Sequence, residues 1–479
     1  MKKICLTLTL LGMFAGGTFA QNQLDALRYS RLNPSGTARF VAMGGAFGAL
    51  GSDFSALSVN PGGIGLYRSS EFSITPSFST TTTESQLNGN FREDSRYNFN
   101  LGNVGIVMTN NPGLKNPNSP WKNMQFGFGL NRIANFNNRV QLSSDNNASS
   151  YLSSYPGMAN GKSPNALGRF DTYLAYSTDL LFVVDSATWT YGVDLPYGGV
   201  NQRKTIESKG SMNEMIFTFG GNYNDRLYIG ATLGVPFIRY EEVATYAESK
   251  LEGEGTVFKN LKRIDNLETT GTGINFKFGM IVRATNWLRL GGAIHTPTFY
   301  SSMSDTYSSS LTSGFENGYS ATESADGYFE YELNTPFRAI GSLGFVIGKS
   351  GIISADYEFV DYQTARLRSR EYDFYSENES IRDQFQKTHN MRLGTEWRYG
   401  ALSFRGGYAF QDNPYKSGVN SALTSYSFGL GVREQNFYVD LAWVHSYYDD
   451  EYYMYTGLVN PAYTTTTNNS FLLTLGFRY

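Results

Sequence analysis

Of 479 residues, one is cysteine and three are histidine. Cys5 falls in an amino-terminal stretch expected to be removed, so the mature chain offers neither a disulfide nor a thiolate metal site. His295, His389 and His445 have no His or Cys neighbour at ligand spacing, which argues against a zinc centre or a His-based triad. No segment after residue 20 reaches the roughly 18 apolar residues of a membrane-spanning helix. Basic charge is not in excess either: 39 Lys and Arg face 42 Asp and Glu, against a nucleic-acid partner. Neither a phosphate-binding P-loop nor a dinucleotide-binding glycine pattern occurs, so no cofactor, metal or catalytic residue is expected. Only 14 prolines and a 41% hydrophobic fraction exclude disorder and helical membrane bundles.

What is abundant is glycine, at 51 residues, and aromatic side chains, at 15%. Residues 1–20 carry Lys2 and Lys3, an apolar run too short to span a bilayer, and small residues ending at Ala20, the pattern of a secretory signal peptide. From Glu71 onward the dominant period is two. At the carboxyl end Phe471, Leu473, Leu475, Phe477 and Tyr479 share one face, opposite Ser470, Thr474, Gly476 and Arg478, with Leu472 the exception. The same alternation runs through Ile274, Phe276, Phe278, Met280 and Val282, and through Tyr426, Phe428, Leu430 and Val432.

Periodicity alone does not separate a soluble sandwich from a barrel facing lipid; connection lengths do. The alternating segments number fourteen, and tight turns at 225–226, 285–286, 349–350, Gly400 and Gln435 alternate with loops of up to about 70 residues, as in outer-membrane barrels. The expected fold is all-β: a 14-stranded antiparallel transmembrane β-barrel over 71–479, closed so that no sheet edge is exposed. Tyr447, Tyr448, Tyr452 and Tyr453 suit an interfacial girdle, and the terminal aromatic strand ending at Tyr479 resembles the signal read by the barrel assembly machinery. The expected location is the outer membrane of a Gram-negative bacterium, in contact with lipid and lipopolysaccharide.

Fourteen strands enclose more space than their own side chains fill. Residues 21–70 precede the first strand, begin with a short helix over 23–32, and become small and glycine-rich, suiting an N-terminal hatch (plug) in the lumen. Within it, 48–66 contain Asp53-Phe54-Ser55 and, a few residues on, Asn60-Pro61-Gly62-Gly63. This stretch resembles the N-terminal region of the long-chain fatty-acid outer-membrane transporter (FadL) family, whose Asp-x-Ser/Ala pattern precedes an Asn-Pro-Ala-Gly-like motif. One departure is Gly62, where the family usually has Ala; it loosens the backbone while Pro61 keeps its φ fixed and holds Asn60 out of the helical region.

The resemblance implies that Asp53, Phe54, Asn60, Pro61 and Gly62 form a gate against an irregular third strand, beside a lateral opening to the membrane. The third strand is itself out of phase. Phe126, Phe128 and Leu130 share a parity that breaks at Asn131 and Arg132, with Ile133 resuming the apolar set as after a β-bulge, unless the strand simply ends at Leu130. The resulting expectation is a non-enzymatic channel: passive uptake of a hydrophobic or amphipathic, long-chain fatty-acid-like ligand, bound in an apolar pocket above the hatch. Arg392, Arg398 and Arg433 are candidates for its head group. Two other classes remain: a FadL-like barrel that docks a secretion partner protein, as in type IX export, and a lipid-acting enzyme. The last is disfavoured because adjacent His445 and Ser446 point to opposite faces.

Overall fold

The computed structural model describes residues 23–33, 35–112, 118–146, 149–194, 199–251, 256–455 and 460–479; the expected export segment 1–20 lies outside them. The wall begins with β1 (Glu71–Leu87), β2 (Asn90–Asn110) and β3 (Trp121–Asn135), then β4 (Val200–Tyr223), β5 (Leu227–Lys250) and β6 (Phe258–Arg283). β7 and β8 each break once near a proline, which lacks the N–H a ladder needs. β7 comprises Leu288–His295 and Phe299–Phe315 around Pro297; β8 comprises Ser320–Asn334 and Arg338–Ile347 around Pro336. β9 (Gly351–Asp361 and Arg366–Arg368), β10 (Lys387–Tyr399), β11 (Leu402–Gln411), β12 (Leu423–Arg433), β13 (Phe437–Tyr452) and β14 (Ala462–Arg478) complete fourteen. Neighbours in sequence pair antiparallel, and β14 returns to β1 with Glu71 opposite Arg478, which closes the barrel.

Burial is inverted relative to a water-soluble sheet. Along β1, Ser73, Thr75, Ser77 and Ser79 are buried, whereas Phe72, Ile74 and Phe78 point outward. On β14 Thr474 is fully buried while Phe471 and Phe477 are about half exposed. An apolar outer belt with a polar interior is stable only against hydrocarbon. Leu472, the exception to the alternation, faces inward and packs with Ala38 and Phe40 of the N-terminal segment, so its apolar character matches an apolar plug.

Strands reach 26 residues, more than the roughly 9–11 that cross a bilayer, so their upper ends stand beyond it. The connection between β3 and β4, the one expected to run to about 70 residues, holds strand Asn138–Asn146, helix Thr172–Ser177 and a hairpin of Phe182–Asp185 with Thr190–Gly192. Leu152, Leu174, Ala175, Leu180 and Leu181 pack onto Leu142, Tyr246, Phe258 and Leu311 of the strand ends, making the loop a lid on the rim. Glu248 pins it, accepting hydrogen bonds from Ser150 Oγ, from Tyr151 N at 3.0 Å and from Tyr246 Oη at 2.6 Å. The expected girdle is corrected in part. Tyr447 and Tyr453 are exposed, but Tyr448 faces the lumen with the Arg31 guanidinium 6.0 Å from its ring, and Tyr452 packs under the lid. The β alternation sends consecutive tyrosines to opposite faces.

Candidate functional site: a plugged lumen beside an unpaired wall edge

Residues 23–66 thread the lumen as α1 (Gln23–Arg28), α2 (Ala38–Ala42) and two 3-10 turns, Ser55–Ser58 and Pro61–Leu66. The segment is tied to the wall on many sides. Ala38 N donates to Thr474 Oγ1 (2.7 Å), Gly48 N to Asp356 Oδ2 (2.9 Å), and the Asn123 and Gln125 amides donate to Tyr67 O (2.9 and 2.8 Å). His295 Nε2 lies 2.8 Å from Val59 O, so this histidine holds the hatch.

Close contact depends on wall glycines that face inward, and these are functional residues the sequence reading missed. A Cβ on Gly105 or Gly129 would lie 2.4 or 2.6 Å from the Phe54 ring; one on Gly230 would lie 2.1 Å from Pro61 O, and one on Gly279 2.0 Å from Asn60 Oδ1. Gly407 and Gly429 play the same part against Gly44 and Ala42. The signal was present: glycine recurs on the inward parity of strand after strand, where a wall pressed on another backbone must do without side chains.

The five expected gate residues are all buried, Phe54 against β2 and β3 and Asn60 to Gly62 against β5 and β6. Asn60 is extended (φ −134°) and its Oδ1 accepts from Gly62 N at 2.9 Å, capping the turn that Pro61 opens. Its Nδ2 donates to Gly48 O (2.6 Å) and, across to the wall, to Met280 O (3.0 Å). Gly62 needs correction: its role is proximity to the wall, not looseness, since a Cβ there would stand 2.8 Å from Met280 Cα and 2.9 Å from Gly279 O.

Asp53 accepts from Thr37 Oγ1 (2.7 Å) and Ser55 N (3.0 Å). Burial, with Glu71 nearby, pushes its carboxyl up to about 6 against the pull of Arg39. Because the folded value lies above the unfolded one, ionisation weakens the folded hatch: stability falls as pH rises from about 4 to about 6, by roughly 3 kcal/mol at the limit. Asp53→Asn should remove that dependence. In hydrogen exchange corrected for intrinsic rates, residues 52–58 should then lose less protection between pH 4.5 and 7.5 than they do in wild type; some loss persists because Asp356, which accepts from Gly48 N, still acts on the plug in the variant.

α2 carries the buried ionic anchor. Arg39 Nε meets Glu396 Oε2 at 2.8 Å, and the same carboxylate receives Arg405 Nε (2.7 Å) and Arg398 Nη2 (2.5 Å); Arg405 also pairs with Asp440 (2.7 Å). The three head-group candidates are thus not brought together as one site. Arg392 is held by Glu358 at 3.0 Å against Gly45, inside the plug contact, with its Nη1 left without a hydrogen bond. Arg398 and Arg433 sit at the tight-turn end of the barrel, the latter 5.3 Å from the Tyr438 ring. The apolar pocket expected above the hatch is filled: Tyr29, Tyr300, Phe329, Tyr331, Phe374 and Phe385 are buried there together.

The wall itself is incomplete beside this layer. β2 and β3 pair only from Asn110 opposite Met124 up to Asn103 opposite Asn131. Above that point, among the described residues, β2 from Asn90 to Leu101 pairs with β1 alone. On its other side β3 shifts register against β4 between Arg132 and Ala134. Arg132 Nε reaches Leu101 O at 3.2 Å, while Ile133 turns inward and is buried beside Ala134, contrary to its expected return to the outer apolar face. The chain then bends, and strand Asn138–Asn146 runs over the inner side of the β1–β2 hairpin, with Asn138 accepting from Thr83 Oγ1 (2.8 Å). Hatch residues border the seam: Asn33 N donates to Ile133 O (3.0 Å) and Ser35 N to Arg132 O (3.1 Å). Asn131, Arg132 and Ile133 are thus placed where plug, third strand and unpaired edge meet.

No family model matches the chain, and no curated protein matches it. Solved structures do. The toluene transporter TodX of Pseudomonas putida aligns over 93% of this chain and 99% of its own at TM-score 0.55 and 12% identity. A Pseudomonas aeruginosa FadL homologue aligns over 93% and 99% at 0.54 and 11%, and the Ralstonia pickettii toluene transporter TbuX over 93% and 99% at 0.52 and 15%. Over 93% of its length, then, the chain has the fold of the FadL-type transporters.

Proposed function

We propose that the protein sits in the outer membrane of a Gram-negative bacterium and admits hydrophobic or amphipathic small molecules passively, releasing them sideways into the membrane through the seam between β2 and β3. The observation that carries this reading is the edge of β2 from Asn90 to Leu101, which has no strand partner on the side of β3, directly beside the plug. A barrel closes to remove such edges; one kept open at the level of an aromatic-lined layer is a route. The transporters that share the fold carry toluene and other monoaromatic hydrocarbons by their names, and the aromatic layer here, with Tyr29 edge-on to Phe136 at 6.0 Å, would have to part to admit apolar cargo. The driving force is the concentration gradient together with transfer of apolar surface out of water.

Displacement of the amino-terminal stretch that borders the seam opens the path, with the Asn60-Pro61-Gly62 turn as the fixed point about which it moves. The lid makes direct entry from above a matter of local opening of a packed layer. A fatty-acid-like cargo would need a cation for its head group. Arg392 is the candidate at the plug, sharing Glu358 with Arg338.

Deleting Ile133 tests the route. The deletion removes the extra residue in β3, lets the strand continue along β2, and closes the seam. Uptake of radiolabelled toluene or oleate by whole cells should fall at least about tenfold, the equivalent of 1.4 kcal/mol. Barrel assembly, read as heat-modifiable gel migration, should persist; unchanged uptake in an assembled deletion variant would refute lateral release.

A further inference from the structure

On the outer face, β1, β2 and β12–β14 enclose an apolar groove of about 510 Å³ walled by Phe78, Phe99, Phe428, Trp443, Phe471 and Leu473. Its position follows from a defect. Pro76 shifts the register of β1 against β2, and on the other side the ladder to β14 passes from Ile74–Leu475 directly to Ser77–Leu472, leaving Thr75 joined to Thr474 only through their hydroxyls at 2.7 Å. Proline cannot donate to the ladder, so the wall dips there. Small residues, Gly429 and Ala442, line the groove where it meets the wall. The rings are held in pairs, Phe428 on Trp443 at 6.1 Å and 10°, and Phe78 on Tyr97 at 6.2 Å and 19°. Among the described residues, no charged side chain lines it.

The groove reaches β2, the strand that borders the seam. Phe99 forms part of its wall, is 74% exposed, and belongs to the stretch of β2 that pairs with β1 but not with β3, on the strand that borders the opening. We infer that this groove is a binding site for an uncharged hydrophobe, a single-ring aromatic or short alkyl hydrocarbon, which it receives from the seam before the molecule disperses in the membrane. The inference rests on the lateral route proposed above. Preformed ring walls with no charge favour a flat neutral molecule, and they bind it without the ordering cost a flexible site would carry. A second outer groove of about 490 Å³ between β6 and β9, at Phe278, Ile294 and Tyr357, borders no unpaired strand edge and serves as an internal contrast.

The protein is reconstituted in bilayers of unbrominated lipid and titrated with bromobenzene, a heavy-atom quencher, while tryptophan fluorescence is read; subtracting Trp443→Phe isolates the signal at Trp443. The expected result is saturable quenching that excess toluene reverses, with at least fivefold weaker apparent affinity in Phe99→Ala, an outward substitution that leaves the plug contacts alone. Linear quenching that toluene does not compete would mean simple solution in lipid and would overturn the site. Quenching by phospholipids with brominated acyl chains that toluene fails to displace would assign the groove to lipid and overturn it equally. The Ile133 deletion separates the two ideas. Lost uptake with linear quenching removes the groove and leaves the route standing; normal uptake with saturable, toluene-reversible quenching removes the route and leaves a hydrocarbon site with no role in release.

Discussion

Glu396→Ala should free the hatch from an otherwise intact barrel. The wild-type carboxylate is wholly buried and shared by Arg39 of the plug and by Arg398 and Arg405 of the wall. Removing it strands guanidinium groups in a low-dielectric interior, with Asp440 left to neutralise Arg405 alone. Breaking a buried ion pair from one side costs about 3–5 kcal/mol, because the remaining charge keeps its desolvation penalty and loses its partner. The cost falls on α2, since Arg39 is the member that can leave, while the wall is held by its ladder. Trypsin should cut within residues 38–66 of membrane-embedded Glu396→Ala at least tenfold faster than wild type, and cells should become leaky to small polar antibiotics. Arg39→Met should be milder, because Glu396 then keeps two partners and loses only the plug. Equal protease resistance in wild type and Glu396→Ala would show that packing alone retains the plug.

Gly62→Ala should act at the opposite side of the lumen. One methyl group there meets the Met280 backbone at 2.8 Å, with Gly279 O at 2.9 Å, and backbone has no rotamer to yield. The turn must lift, breaking the Asn60 Nδ2 bond to Met280 O and leaving that amide less satisfied. Overpacking costs about 1–3 kcal/mol, and a buried polar group left unpaired adds a similar amount. The expected readout is faster hydrogen exchange confined to residues 52–66, with uptake altered in rate and barrel assembly unchanged. Should the variant match wild type in exchange, the turn would have slack, and its role as a fixed point would fail. The contrast with the Asn-Pro-Ala-Gly-like pattern is informative: an alanine at this position requires a wall slightly farther away.

Much of the molecule was legible before any coordinates. Fourteen strands, their direction and their closure follow from period-two alternation and from the tight turns, because a pleated strand sends successive side chains to opposite faces whatever surrounds it. Leu472 shows where that reading stops: it broke the pattern as sequence and was explained only when Ala38 and Phe40 of the plug were found against it. The tyrosines at 447–453 show the same limit, since composition marks an aromatic cluster and only the pleat decides which members face lipid. The lid's attachment through Glu248 joins residues nearly 100 positions apart, a contact that no local pattern encodes.

The sequence by itself determined an all-β barrel, the presence of a small-residue segment ahead of it, and the point in β3 where alternation fails, since each depends on local periodicity and turn chemistry. Tertiary structure alone decided that Ile133 turns inward, that β2 loses its neighbour above Asn103, that three candidate arginines occupy separate places, and that glycines on six or more strands form the seat of the plug. The physical reason is that these features are contacts between a lumen segment and a distant wall. Chain propensity encodes the shape of each partner, but which backbone atoms come within van der Waals reach is fixed only when the sheet closes around the segment.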